Sequence, residues 1–380
     1  MIGMLCLCIF FLTDSARAAI QGPPISDNNY NVDLTLGPVM GSNRMLALAG
    51  AYVGIAEDTA GISANPASVL FYSKPGDPRW DPGFAFGYFR ALGKDLDNNG
   101  STLSDVKNHQ VIQLGLMLQN GKYGLGALIQ GQSIEFKTGD QVTEFSFLTP
   151  TLALGRAFRE RQILLAVAVK PATLEVKDKE SSSKLFKLEA TGFEIGGLWH
   201  PQRGPFRLGM TYQGRTSQEQ VISADPANPT TAAGLIVPKE VELPWRSSLG
   251  VSYRWDSILR GRKLLLTGQL TVVGKSRDAY GIESFLEQKV QRIGTRTTLS
   301  PHAGGEIDLL PKKLRARLGS YLEPSRFEGT SSRAHMTGGL EWSFWRWLLD
   351  PEDASLSLQY AFDLSRDYSN HSISLGIWRF

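Results

Sequence analysis

From about Pro82 to the C-terminus, apolar side chains recur at every second position, not at the 3.6-residue spacing of a helix. In Ala354–Ser365, Leu356, Leu358, Tyr360, Phe362 and Leu364 alternate with Ser357, Gln359, Ala361 and Asp363. Ile112, Leu114, Leu116 and Leu118 alternate with Gln113, Gly115, Met117 and Gln119. Trp245, Leu249, Val251, Tyr253 and Trp255 share one face, opposed by Arg246, Ser248, Gly250, Ser252 and Arg254. The pattern predicts fourteen strands, over 82–92, 107–119, 122–137, 142–159, 161–177, 185–199, 205–219, 243–256, 263–276, 294–308, 313–323, 333–345, 354–365 and 370–380. Each run is ten or more residues long, whereas soluble strands average about 5–6. A tilted strand crosses a bilayer in about 9–11 residues.

Connection lengths alternate. Those after odd-numbered strands are mostly long (93–106, 178–184, 220–242, 277–293, 324–332), with 138–141 and 366–369 as exceptions. Those after even-numbered strands are short, such as Asn120-Gly121 and Leu309–Lys312. An even strand number with short turns at one end and long loops at the other predicts a transmembrane antiparallel β-barrel, both termini on the periplasmic side. A soluble β-sandwich accounts for the alternation but not for the strand length or the loop phase. Trp199, Trp255, Trp342 and Trp378 fall near the short-turn ends of even strands, where interfacial rings belong.

Composition sharpens this picture. The chain carries 39 glycines but no collagen-like period, and 42% of it is hydrophobic, so collagen and disorder are excluded. Forty Lys and Arg against 37 Asp and Glu leave a net charge of +3 without any basic stripe, which excludes a nucleic-acid binder. No run supplies the ~20 apolar residues of a helical span; the longest, Ile2–Leu12, is followed by Ala16-Arg17-Ala18. Although no basic residue precedes it, that arrangement predicts an export signal over 1–18. Cys6 and Cys8 lie inside it, so the mature protein has no thiol or disulfide chemistry. A barrel bonds every strand to its neighbours and needs no helical span.

Residues 19–81 do not alternate, and form a separate segment ahead of the barrel at 82–380. Met45–Glu57 is rich in small residues, and Asp58–Leu70 contains Asn65-Pro66-Ala67. Here the chain resembles the FadL-type family of long-chain fatty acid and hydrocarbon channels of Gram-negative outer membranes. Gly50, Ala51, Tyr52, Ala56, Asp58, Thr59, Asn65, Pro66 and Ala67 match that family's GAY…A…D(A/T)…NPA segment. The resemblance implies a fourteen-stranded barrel whose N-terminal hatch occupies the lumen, with Asp58, Asn65, Pro66 and Ala67 at the gate. Asn-Pro initiates turns, so it suits a chain reversal inside a narrow lumen, and Asp58 is placed to bond neighbouring amides. A plain helix-turn cap packing the barrel base is the alternative. The terminal Trp378-Arg379-Phe380 resembles the signal read by barrel-assembly machinery, the partner expected during biogenesis.

Other chemistry is sparse. Gly268–Ser276 misses the phosphate-loop spacing, and no nucleophile elbow is present, so no enzyme activity and no cofactor are expected. The five histidines show no metal spacing. Asp95, Asp97 and Asn99 resemble half of a calcium loop, yet Val106 stands where the bidentate Glu belongs; an exposed polar loop is the preferred reading. In 281–293, Ile282, Phe285, Leu286, Val290 and Ile293 share one helical face, and Leu235 and Ile236 add an apolar patch in 220–242. Exposed on outer loops, these residues would capture a greasy solute; mutual packing as a cap is the alternative. Inward-facing Arg246, Arg254, Arg315 or Arg317 would meet a carboxylate; a lumen charge ladder serving barrel stability is the alternative. The expected partners are therefore outer-membrane lipid and hydrophobic small molecules. A second reading is a barrel resembling the PorV-type subfamily, serving protein secretion and surface attachment, and a third is a structural outer-membrane barrel.

Overall fold

The computed structural model describes residues 20–39, 41–71, 79–91, 95–101, 105–138, 141–179, 184–201, 204–219, 221, 223, 227–232, 234–258, 261–346 and 354–379, with backbone alone for 79–91, 105–109, 377–379 and a few strand ends. The export signal at 1–18 and the terminal Phe380 lie outside these residues.

Fourteen strands close into one barrel. In chain order they are β1 Arg79–Ala91, β2 Asp105–Asn120, β3 Tyr123–Thr138, β4 Gln141–Phe158, β5 Ile163–Asp178, β6 Lys184–Trp199 and β7 Phe206–Gln213. There follow β8 Arg246–Ile258, β9 Arg262–Val273, β10 Thr298–Leu310, β11 Leu314–Glu323, β12 Arg333–Arg346, β13 Ala354–Ser365 and β14 Tyr368–Arg379. Each pairs antiparallel with its chain neighbours, and β14 returns to β1 through Ala85↔Gly376 to Ala91↔Asn370. The alternation in sequence becomes an inside and an outside. On β8, Leu249, Val251, Tyr253 and Trp255 point outward and are exposed, while Ser248 and Ser252 are buried in the lumen. That is the lipid-facing exterior a transmembrane barrel requires. Trp199, Trp255 and Trp342 stand exposed at the short-turn end, as interfacial rings should.

Two boundaries differ from the sequence pattern. The run at 205–219 contains two strands, and the loop 220–242 ends in another: Thr216–Glu219 and Glu240–Leu243 lie outside the barrel and pair with each other in a small sheet at the loop-rich end. That sheet has five strands, with Asn31–Asp33 at its centre between Glu240–Leu243 and Ala279–Tyr280. The first part of the 19–81 segment is therefore not plug but cap. The Ile25 amide bonds the Gln288 carbonyl of a long loop, while β14 ends at the short-turn side. The backbone donors and acceptors of Asn31–Asp33 find their ladder partners only in the cap, which draws the N-terminal end upward.

From the cap the chain runs down into the lumen through a five-residue helix, Asn43–Ala47, and two 3₁₀ turns, Ala60–Ser63 and Pro66–Leu70. It meets the wall at inward glycines. A Cβ on Gly209 would lie 2.1 Å from the Val53 carbonyl oxygen, and one on Gly124 would lie 2.2 Å from that of Val69. Only glycine permits that approach of backbone to backbone. Part of the chain's glycine content is thus the seam between hatch and barrel.

Candidate functional site

The hatch backbone is held by polar side chains that the strands turn inward. Gln269 Oε1 accepts from the amides of Tyr52 and Val53 (both 3.0 Å), Thr267 Oγ1 donates to the Ala51 carbonyl (2.7 Å), and Ser252 Oγ donates to that of Gly54 (2.8 Å). His302 Nδ1 lies 2.7 Å from the Ala49 carbonyl, and Thr337 Oγ1 donates to that of Ala47 (3.1 Å). A short helix and tight turns leave many backbone groups unpaired, and inside the lumen the wall must satisfy them.

The four predicted gate residues come together in the lower hatch. Asn65 is wholly buried; its Oδ1 caps the Ala67 amide (3.0 Å), and its Nδ2 donates to the carbonyls of Val53 (3.1 Å) and Gly197 on β6 (3.0 Å). Pro66 opens the following turn, where its missing N–H costs nothing. Asp58 accepts from the Gly61 amide (3.1 Å) and the Tyr52 hydroxyl (3.1 Å). Asp58 sits at φ 58°, and Ala56 at 45°, a left-handed backbone that reverses the chain.

A charged latch joins this hatch to the wall, and the sequence pattern missed it. Arg44 grips Glu306 of β10 with Nε (2.8 Å) and Nη2 (2.9 Å), and also reaches Glu57 (3.1 Å). Glu57 in turn accepts from Arg207 of β7 (2.7 Å) and Arg254 of β8 (2.7 Å). Burial raises the pKa of Glu57, but the guanidiniums of Arg254, Arg207 and Arg44 outweigh it and hold the carboxyl well below the ordinary range. Of the four arginines expected to meet a solute carboxylate, three are therefore committed. Arg254 binds Glu57, Arg315 binds Asp308 (2.6 Å), and Arg317 bridges Glu306 (2.7 Å) and Glu341.

Arg246 is different. It projects into a cavity of about 410 Å3 between hatch and cap, lined by Leu34, Leu36, Val39, Met45, Phe147, Gln130, Gln132 and Thr271 among others. Its guanidinium is exposed to that cavity. Glu194 and Asp33, the carboxylates whose fields reach it, are themselves paired with Lys170 and Arg326.

Where this cavity meets the wall, the wall is interrupted. Strands β4 and β5 pair from Thr143↔Asp178 to Leu148↔Thr173 and resume at Leu152↔Val169 in the same register. Pro150 and Pro171 stand opposite each other in the gap. Each lacks an N–H, so both bonds of one hydrogen-bonded pair are deleted and three successive positions go unpaired. Thr149, Thr151, Lys170 and Ala172, the neighbours that point inward, line the cavity at that place. Proline within a strand pattern is the signal that would have found this break.

The outer-loop residues are not exposed as expected. Ile282, Phe285 and Leu286 are buried, Leu235 likewise, and Ile236 and Val290 pack against the same core with Tyr30, Val32, Phe136 and Phe186. The 281–293 segment is helical only over Ile282–Glu287; Gln288 at φ 51° ends it, and Arg292–Ile293 joins the cap sheet. Apolar side chains on facing loops bury one another more favourably than they face water, so the cap is closed over the lumen. Asp95, Asp97 and Asn99 are buried as well, which corrects the reading of 93–106 as an exposed polar loop. Among the described residues, no group of three His, Cys, Asp or Glu forms a ready metal site.

No protein-family sequence model matches the chain, and no curated protein matches it in sequence. Solved structures do match in shape. The CymD monoaromatic hydrocarbon channel is similar at a TM-score of 0.58 and 12% identity, over 91% of this chain and 99% of that one. A FadL homologue of Pseudomonas aeruginosa gives 0.54 and 13%, over 92% and 99%. The deltaS2S3 mutant of the TodX monoaromatic hydrocarbon channel gives 0.52 and 11%, over 84% and 93%. With a closed fourteen-stranded barrel holding its own N-terminal hatch, the chain has the fold of the FadL-type outer-membrane channels.

Proposed function

We propose that the protein is an outer-membrane channel for passive uptake of hydrophobic compounds, long-chain fatty acids among them. The observation that carries this reading is the cavity, which has an apolar side, one available guanidinium and a broken stretch of wall beside it. A greasy chain would lie along Leu34, Leu36 and Phe147 while its carboxylate meets Arg246. Charge-assisted bonds to Arg are strongest in such water-poor surroundings. Entry requires the cap around Phe285 and Leu235 to part. Two exits are available: downward, if the Asp58–Ala67 hatch rearranges, or sideways to lipid through the gap at Pro150 and Pro171. Below the cavity the hatch and its latch occupy the lumen. The matching structures named as monoaromatic hydrocarbon channels support a hydrophobic solute class. The secretion-partner reading gains nothing from the apolar loop residues of the cap, which are buried among the described residues.

Mass spectrometry of molecules retained by the gently purified protein tests the reading. Apolar chains, including carboxylic acids, are expected in the wild type, and Arg246→Gln should retain the hydrocarbons but lose most of the acids. Finding only detergent in both would count against it.

A further inference from the structure

The buried outer loop 95–101 carries an imbalance between acceptors and donors. Asp95 is satisfied by the amides of Asn99 (3.0 Å) and Gly100 (3.1 Å). Asn99 Nδ2 donates to Glu283 Oε2 (2.9 Å), and Gln291 Nε2 donates to the Asn99 carbonyl (2.9 Å). These bonds bring two outer loops from distant parts of the sequence to one place. Around them, both carboxylate oxygens of Asp97 are buried without a hydrogen-bond partner, as are Oε1 of Glu283, of Glu287 and of Gln291. Asp97 is 8% exposed and Glu283 1%. Asp97 is turned toward the other loop, since a Cβ on Gly281 would come within 3.2 Å of its Oδ2. The neighbouring guanidinium, Arg333, is committed to Glu323 (2.7 Å) and to the carbonyls of Asp95 (2.7 Å) and Leu96 (3.1 Å).

Among the described residues of these two loops, every unsatisfied side-chain atom is a hard oxygen acceptor. Burying carboxylates in this way is costly unless a cation compensates. Carboxylates from loops, amide carbonyls and a tight glycine turn are what calcium accepts, in flexible shells completed by backbone oxygens and water. We propose that Asp97 and Glu283, completed by the Gln291 amide oxygen, bind one calcium-class divalent cation that clamps loop 95–101 to loop 281–293 and holds the cap shut. Two carboxylates with amide, backbone and water oxygens suffice, so no triad of acidic or imidazole groups is needed. The cation claim is independent of what passes through the barrel.

Protonation works in the same direction. Burial and then the adjacent Asp95 push the Asp97 carboxyl well above the ordinary range, and burial and then Asp97 do the same to Glu283. Glu323 and Glu287 add to the negative field, and Arg333 opposes it.

The test is isothermal titration of the full-length protein, chelator-treated in detergent, with calcium chloride, beside thermal unfolding. The wild type should bind one calcium with Kd on the order of 10⁻⁴–10⁻³ M, as extracellular sites do. Asp97→Asn and Glu283→Gln should each weaken binding by about tenfold or more. Without metal, Asp97→Asn should melt higher than the wild type, because the repulsion is gone, and calcium should no longer raise its Tm. That opposite sign separates loss of a ligand from misfolding. No saturable heat in the wild type, or wild-type affinity in both variants, would overturn the proposal. A rise in the metal-free Tm of Asp97→Asn without any calcium binding in the wild type would also overturn it, leaving an acid pair that shares a proton.

Discussion

Glu57→Ala is expected to undock the hatch. Three guanidiniums, those of Arg44, Arg207 and Arg254, converge on this one carboxylate. Removing it leaves Arg207 and Arg254 without their carboxylate beside Arg44, which keeps Glu306, a loss of about 3–5 kcal/mol by the measured cost of breaking buried pairs. At about 1.4 kcal/mol per tenfold, the undocked hatch becomes at least a hundredfold more populated. Single-channel recording in planar bilayers should then show ion conductance where the wild type shows little, and cells should admit antibiotics normally too large to cross. Arg44→Ala should act alike, since it removes the tie between the hatch and Glu306 of the wall. Unchanged conductance in both variants would mean that the latch does not hold the hatch. The pH dependence has a definite sign. Because the Glu57 pKa is depressed, its contribution is complete above the ordinary carboxylate range. It is lost only as pH falls through the depressed value. Hatch docking should therefore be flat from neutral to mildly acid pH.

The second large effect concerns the wall. Pro150→Val with Pro171→Val restores two N–H groups at facing positions of β4 and β5. Two ladder bonds at about 1 kcal/mol each would disfavour a lateral opening by about tenfold or more. Both prolines belong to the outward set of positions, so valine adds lipid-facing surface of the kind the barrel already carries. Folding and outer-membrane insertion should be unaffected or improved, while uptake of hydrophobic solutes falls. If uptake is unchanged although hydrogen exchange shows the new bonds formed, solutes leave by the hatch and not through the wall.

The barrel was legible because period-2 alternation, strand length and loop phase are local and repeat fourteen times. The places where strands leave the barrel were not. Thr216–Glu219 continues the 205–219 run without a break signal, Glu240–Leu243 sits at the edge of the next one, and only their mutual pairing sets them apart from the barrel. The Asn65-Pro66-Ala67 turn could be read from its residue chemistry. The partners of Arg44 could not, because Glu57 and Glu306 lie thirteen and 262 positions away and meet it only once the barrel closes. Helical spacing in 281–293 overestimated the helix, since Gln288 adopts a left-handed conformation that periodicity does not reveal. The acidic loop failed the calcium pattern at Val106 because the complementary carboxylate, Glu283, arrives from another loop.

Whether hydrophobic solutes cross through this barrel is tested most directly by uptake of radiolabelled oleate and of an apolar hydrocarbon. Cells deleted for the protein would be compared with cells complemented by the wild type and by the Pro150→Val, Pro171→Val variant. Complementation should restore uptake of both solutes, and the double variant should restore far less. Equal uptake in deleted and complemented cells would contradict the account.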